Sequence, residues 1–271
     1  MQRFSILMFG AFSYLVFLAT FLYLIAFVGN LQTTGLADWA PWLAKLVPYS
    51  IDSGRASGPP VVAILINACL IAAFALQHSV MARLGFKRWL KKALPASVER
   101  SVYVMTASLV LGLIFWQWRP IPETIWSADS TLAVAIGWGV FGAGFAIVLI
   151  STFLIDHFDL FGLKQVWAQF KTRVPAAPHF KTPLFYRLVR HPLYLGFMLA
   201  FWGGPTMTVG HLLFAAGMTV YILVAIGFEE RDLLHHLGRD YAAYRREVPM
   251  LLPGLRHSRH GRISGDLRGG N

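Results

Sequence analysis

Four groups of polar residues lie against long apolar runs of the chain. They are Gln77-His78-Ser79 with Arg83, Asp156-His157 with Asp159, Arg190-His191-Pro192-x-Tyr194-x-Gly196, and Glu229-Glu230 followed by Tyr241, Tyr244 and Arg245. Left unpaired in apolar surroundings, such groups are costly, so their recurrence beside apolar runs points to a shared site. Histidines and carboxylates are candidate proton carriers, arginines hold carboxylates, and tyrosines offer a flat apolar face with a polar edge. Each group also has a structural reading. His78 is then a helix-end histidine bonded to a carbonyl, Asp156-His157 a terminal cap, Arg190 a snorkelling side chain, and Glu229-Glu230 solvated residues beyond a span. A purely structural bundle has little use for so many polar groups at one membrane face, and the functional reading is preferred.

Several chemistries find no support. There is no G-x-S-x-G, and Ser79 beside His78 is too weak a signal for a nucleophile pair. H-E-x-x-H is missing, and His78, His157 and His191 have no i, i+4 partner, so no metal site is expected. His235-His236, His257 and His260 read as solvated surface or tail residues. The single cysteine, Cys69, cannot form an internal disulfide, and its position inside an apolar block predicts a buried small hydrophobe.

The elements that must position these groups are helices in a membrane. Of 271 residues, 56% are hydrophobic, and the mean hydropathy is +0.55. The apolar residues fall in blocks at 7–28, 60–76, 102–116, 132–155, 193–202 and 210–226. About 20 residues of helix cross the hydrocarbon, and the two-residue alternation of barrel strands is missing. The fold class expected is an all-α polytopic membrane helical bundle of about five to six transmembrane helices with a C-terminal cytoplasmic amphipathic helix. The block 193–202 is the weak point, because it is short; Gly203-Gly204-Pro205 predicts a tight helical hairpin after it. The first block reads as a retained span, since Gly29-Asn30-Leu31 is no small-residue cleavage pattern.

Residues 31–57 form a mixed linker whose Trp39 and Trp42 suit a membrane interface, and the stretch 156–190, with Pro175, Pro178 and Pro183, predicts irregular or short interfacial structure. After residue 226 the last span leaves the membrane, turns amphipathic through Leu233, Leu234, Leu237, Tyr241 and Tyr244, is interrupted at Gly238 and ends at Pro249. One domain is expected over 1–254, with a cofactor-binding part at about 185–250 and a basic, disordered tail over 255–271.

The formal net charge is +11. Basic residues crowd the loops 83–100 and 156–190 and the region after 230, whereas 31–57 and 118–130 carry few. Six crossings then put both termini and all four polar groups on the cytoplasmic side. The charge fits orientation and attraction to anionic membrane lipids better than a nucleic-acid partner, and no obligate protein partner is expected.

The ordered pattern Arg190-His191-Pro192-x-Tyr194-x-Gly196, then Glu229-Glu230-x-x-Leu233, then Gly238-x-x-Tyr241-x-x-Tyr244-x-x-x-Val248-Pro249 resembles the isoprenylcysteine carboxyl methyltransferase superfamily of membrane enzymes. The upstream pieces Leu22-Tyr23-x-x-x-Phe27-Val28-Gly29-Asn30, residues 77–83, Glu99-Arg100-Ser101 and residues 156–162 resemble one bacterial branch. That branch holds the methanethiol S-methyltransferases and proteins named for denitrification or nitrite metabolism. The resemblance implies S-adenosylmethionine as cofactor, with Arg190, His191, Tyr194 and Gly196 on one side, Glu229 and Glu230 on the other, and Tyr241 and Tyr244 covering it. It implies a small thiol substrate, methanethiol giving dimethyl sulfide, and a place in the bacterial inner membrane. A thiol acceptor wants a base or positive group, because the thiolate is the reactive form. His78, His157 with Asp156 or Asp159, and Arg83 are the candidates. Methylation of a lipid or prenylcysteine carboxylate, a non-catalytic role in nitrogen-oxide metabolism, and a transporter are the alternatives.

Overall fold

The computed structural model describes residues 1–32, 41–55, 58–173 and 183–254. Trp39, Pro175, Pro178 and the basic tail 255–271, with His257 and His260, lie outside them.

The helix α1 (Gln2–Val28) is apolar almost all round. Phe4, Met8, Phe12, Leu15 and Leu22 follow one face and are exposed, while Ile6, Gly10, Ser13, Leu24 and Phe27 turn inward. A helix apolar on both faces needs an apolar solvent outside as well as a core inside. The short α2 (Pro41–Leu46) follows, bearing an exposed Trp42. Next come α3 (Pro60–Ala82), started by two prolines suited to a first turn, and α4 (Leu84–Ala93), which carries basic residues on one side and an exposed Trp89. After a single 3₁₀ turn at Ala96–Val98, α5 (Glu99–Gln117) returns beside α1 and α3. The strand β1 (Thr124–Ser127) leads to α6 (Thr131–Ile155), whose first turn is capped by Ser130 accepting from the Ala133 amide at 3.2 Å.

Beyond α6 lie α7 (His157–Leu160) and α8 (Leu163–Phe170), then a 3₁₀ turn at Leu184–Arg187. The chain closes with α9 (Pro192–Trp202), β2 (Thr206–Thr208), α10 (Val209–Leu237) and α11 (Arg239–Glu247). Among the described residues five helical segments, Gln2–Val28, Pro60–Ala82, Ala96–Gln117, Thr131–Ile155 and Val209–Leu237, are long and apolar enough to cross a membrane. The molecule is an all-α polytopic bundle with one small ribbon added, β1 antiparallel to β2.

The ribbon bears on how the short apolar block runs beside α10. His191, at the start of α9, lies against Glu230, and Thr208, at the end of β2, caps α10. From Val209 to Glu230, α10 rises about 32 Å, close to the hydrocarbon thickness. The segment 191–208 covers that span as one short helix followed by extended chain, instead of the tight helical hairpin expected after Trp202. An extended residue covers about 3.3 Å against 1.5 Å in a helix, which makes up the missing length.

Close backbone contact fixes α9 against α6. A Cβ on Gly196 would stand 2.7 Å from the Gly144 oxygen, and one on Gly144 would stand 2.4 Å from the Ala200 nitrogen. At the opposite end from the polar groups, Phe27, Trp118, Phe201 and Phe214 form the aromatic core, and the Trp118 indole donates to the Ile51 carbonyl at 3.0 Å. Asn67, fully buried, clamps α3 to the end of α5 by donating to the Arg119 carbonyl at 2.7 Å and accepting its amide at 2.9 Å.

Cys69 corrects one expectation, for it is exposed on α3 instead of buried. An apolar block in a membrane has lipid as a second apolar environment, so apolar sequence context does not imply contact with protein.

Candidate functional site

Two neighbouring arrangements occupy the end of the bundle where α3 finishes and α9 begins. The first is an ion-pair network centred on Glu230. Arg190 donates to its Oε1 through Nε at 2.8 Å and Nη2 at 2.7 Å, and His191 Nε2 lies 3.1 Å from the same oxygen. Arg245 Nε reaches Oε2 at 3.2 Å. Arg190 also donates through Nη1 to the carbonyls of Arg245, at 3.1 Å, and Val248. The backbones join as well, with the Arg190 amide bonded to the Pro249 carbonyl at 2.9 Å and the His191 amide to that of Met250 at 3.2 Å. This explains the long spacing of the motif, since Arg190-His191 and Val248-Pro249 are two sides of one strap. Gly238, at a φ of +54°, turns the chain from α10 into α11 and brings Tyr241 and Tyr244 over the network. Tyr244 donates to the Tyr186 carbonyl at 2.6 Å. Burial pushes its phenol up to about 12, and raises Tyr241 as well, so both stay neutral hydroxyls.

The second arrangement is a cavity of about 250 Å³ between α3, α5, α9 and α10. From α3 it receives His78, Ser79, Ala82 and Arg83, from α5 Tyr103, and from α9 Tyr194. The face of α10 supplies Tyr221, Ala225, Glu229, Asp232 and His236, spaced three or four residues apart along one stripe, with Leu233 beside them. His78 stacks on Phe74 at 5.2 Å between centroids and lies 4.8 Å from the Tyr103 ring. Its Nδ1 is buried and has no hydrogen-bond partner in the protein. Glu229 lies against the Tyr194 hydroxyl, and its Oε2 is 4.0 Å from His191 Nδ1, which links the cavity to the Glu230 network. At the mouth Arg83 pairs with Asp232 at 3.2 Å and lies 5.0 Å over the Phe228 ring.

Of the residues expected from sequence, the cavity therefore brings together His78, Arg83, Tyr194 and Glu229. Arg190, His191, Glu230, Tyr241 and Tyr244 stand directly behind it. Gly196 faces Gly144 and Val148 of α6, where it permits helix contact. His157, Asp156 and Asp159 do not line the cavity. His157 is buried with both ring nitrogens engaged, Nε2 with the Tyr14 hydroxyl and Nδ1 with Thr152 Oγ1, each at 2.8 Å, and it stacks on Phe153 at 4.2 Å. Burial pushes its imidazole below the ordinary value. Asp156 caps α7 by accepting the Asp159 amide at 3.1 Å and pairs with Lys164, while Asp159 pairs with Arg100 at 2.9 Å. The run 156–162 thus builds a corner that fastens α6 to α1, α5 and α8.

Tyr103, Tyr221, Asp232 and His236 line the cavity and were not singled out by sequence reasoning. His236, read as ordinary solvated surface, is exposed yet stands at the cavity mouth, bonded through Nδ1 to the Asp232 carbonyl at 2.6 Å. The signal was the helical spacing 221, 225, 229, 232, 236, which continues the stripe of Glu229. Among the described residues no group of three His, Cys, Asp or Glu side chains comes together as metal ligands would.

The chain is 49% identical over 253 residues to methanethiol S-methyltransferase 2 of Bradyrhizobium diazoefficiens, covering 93% of this chain and 92% of that protein. The methanethiol S-methyltransferase of Mycobacterium tuberculosis is likewise 49% identical, over 93% of this chain and 98% of its own length. A more distant relative is a Nurim homolog of Drosophila pseudoobscura pseudoobscura, 25% identical over 228 residues, 80% of this chain and 88% of that protein. No family model and no solved structure matches. The relatives at nearly half identity span almost the whole chain, and the chain belongs to the methanethiol S-methyltransferase family.

Proposed function

We propose that the protein transfers a methyl group from S-adenosylmethionine to methanethiol, releasing dimethyl sulfide, in the cavity of His78. The observation that carries the reading is the buried, unpartnered Nδ1 of His78, a base without a protein partner beside carboxylates and tyrosines. The names of the relatives supply the acceptor.

The donor set suits the cofactor. Glu229 fits an amino group or ribose hydroxyls, Arg83 fits a carboxylate, and Tyr194 and Tyr103 offer faces for an adenine ring. Bound there, S-adenosylmethionine supplies an electrophilic methyl on a positively charged sulfur. His78 would accept the thiol proton at Nδ1, so that the acceptor sulfur carries thiolate character when it takes the methyl, the sulfonium–carbon bond breaks and neutral S-adenosylhomocysteine leaves. Tyr103 and Phe74 hold the imidazole plane. Arg83, held by Asp232, keeps positive charge at the mouth. Arg190, His191, Glu230, Arg245, Tyr241 and Tyr244 fix Glu229 and Tyr194 from behind, and position more than they touch. Alignment of two small reactants and exclusion of water are the main work required of such a site.

The basic loops at 83–100 and 156–190 support placing this end, and both termini, on the cytoplasmic side of a bacterial inner membrane. The test is headspace gas chromatography of purified protein with S-adenosylmethionine and thiols from methyl to butyl. Dimethyl sulfide is expected, with rates falling as the alkyl chain lengthens. Transfer to a farnesylcysteine analogue with no volatile thioether would overturn the reading.

A further inference from the structure

A second cavity, about 430 Å³, lies between α3 and α10. Ala68, Ala72 and Ala75 form one wall and Gly217, Val220 and Val224 the other, and no charged side chain lines it. Its rim, with Leu76, Val220 and Val224, is exposed on the outer surface of two helices apolar enough to cross a membrane. Small residues along a helix pair are ordinary packing devices, and alone they say nothing. The further observation is continuity. Ser79 and Tyr221 line this groove and the His78 cavity alike, with the Tyr221 hydroxyl lying against Ser79. A single polar pair thus separates an apolar chamber on the lipid side from the buried nitrogen of His78.

We propose that the groove between α3 and α10 is the port and binding site for the acceptor, a short neutral alkyl thiol arriving from the bilayer, and that Ala72, Ala75 and Gly217 limit its size. The inference rests on the methyl-transfer reading. An uncharged thiol enters an apolar groove without desolvating a charge, whereas an ionised one is held back. The groove is narrow at Gly217, where a Cβ would stand 3.0 Å from Ile71 Cδ1 and 3.3 Å from Cγ2. Alanines opposite leave room for a small sulfur compound, and larger side chains there close it. The product, a neutral thioether, leaves by the same way.

The experiment uses the full protein in nanodiscs of neutral phospholipid. Ala72→Leu and Ala75→Leu fill the groove, and Leu109→Phe, on an exposed face of α5, is the control. Filling is expected to raise KM for methanethiol about tenfold, to abolish turnover of propanethiol and butanethiol, and to leave S-adenosylhomocysteine affinity unchanged by calorimetry. Val224→Ala is expected to raise the butyl-to-methyl rate ratio. The charged thiol 2-mercaptoethanesulfonate is expected to remain unmethylated. Independently of turnover, dimethyl sulfide should raise the Tm of the S-adenosylhomocysteine complex in wild type and Leu109→Phe, but not in Ala72→Leu. An active wild type whose filled variants keep its KM would make the groove an ordinary lipid-packing surface and overturn the proposal. Equal kcat/KM for 2-mercaptoethanesulfonate would overturn it too, by showing entry from water. Failure of the methyl-transfer reading looks different, as wild type silent with every thiol.

Discussion

Arg190 and Glu230 lie forty positions apart in sequence, yet two guanidinium nitrogens of the one converge on a single carboxylate oxygen of the other, at 2.8 and 2.7 Å. Both side chains are less than a tenth exposed, with relative accessibilities of 9% and 8%. A charge pair this dry persists only because His191, Arg245 and two backbone carbonyls complete its hydrogen bonding.

Removing either partner leaves the other charge buried. Arg190→Ala and Glu230→Ala are each expected to lose about 3–5 kcal/mol of stability. Thermal melts in detergent should show both, and calorimetry should show weakened S-adenosylhomocysteine binding. The double variant should be less harmful than the sum of the two, because the second removal strands nothing further.

His78 and His157 are expected to separate cleanly. His78→Ala should keep cofactor affinity and lose turnover by about a hundredfold or more, the usual scale for a proton-transfer group. His157→Ala should lower Tm through loss of its Tyr14 and Thr152 contacts, while the folded fraction keeps its kcat. Single-turnover kinetics and melts on the same samples distinguish the two.

His157 also gives a pH dependence. Its imidazole is held below the ordinary value, so the unfolded chain binds the proton more readily than the folded one. The stability it contributes is full above about 6.5, the unfolded value, and is lost as pH falls through the lower folded value. Tm should decline with acid below about 6.5, and His157→Gln should flatten that decline.

Gly196→Val tests packing at the α6–α9 contact. Its Cβ would meet the Gly144 oxygen at 2.7 Å and the Val148 nitrogen at 2.9 Å, both backbone atoms that cannot swing away. A loss of at least about 2 kcal/mol is expected, since overpacking alone ranges over 1–3 kcal/mol. Leu109→Phe, facing outward on α5, should leave Tm unchanged.

The spans were readable because an apolar block in a membrane needs only composition and length to declare itself, whereas their ends ran on, as in Pro60–Ala82 and Val209–Leu237. Hydrophobicity carries no facing information, however, when lipid and core are equally apolar. That is why Cys69, placed inside by its neighbours, lies outside on α3. The path of 191–208 escaped for a related reason: extended chain covers distance with few residues, and Thr206–Thr208 has no length to advertise a strand. At the site, Arg190, Tyr194 and Glu229 stood out as polar residues in apolar context. Tyr103 and Tyr221 did not, because a tyrosine inside a span is ordinary until its neighbours in space are known. His157, a candidate base in the sequence, lies outside the cavity with its ring nitrogens bonded to Tyr14 and Thr152, a placement that its position beside two aspartates could not show.

Methyl transfer to a small thiol at His78 can be followed with S-adenosylmethionine deuterated in its methyl group, methanethiol and purified protein, reading the headspace by mass spectrometry. Wild type should release trideuterated dimethyl sulfide in step with S-adenosylhomocysteine, one for one, and His78→Ala should release almost none while still binding S-adenosylhomocysteine. No labelled dimethyl sulfide above a heat-killed control, or wild-type release from His78→Ala, would rule out methyl transfer by His78.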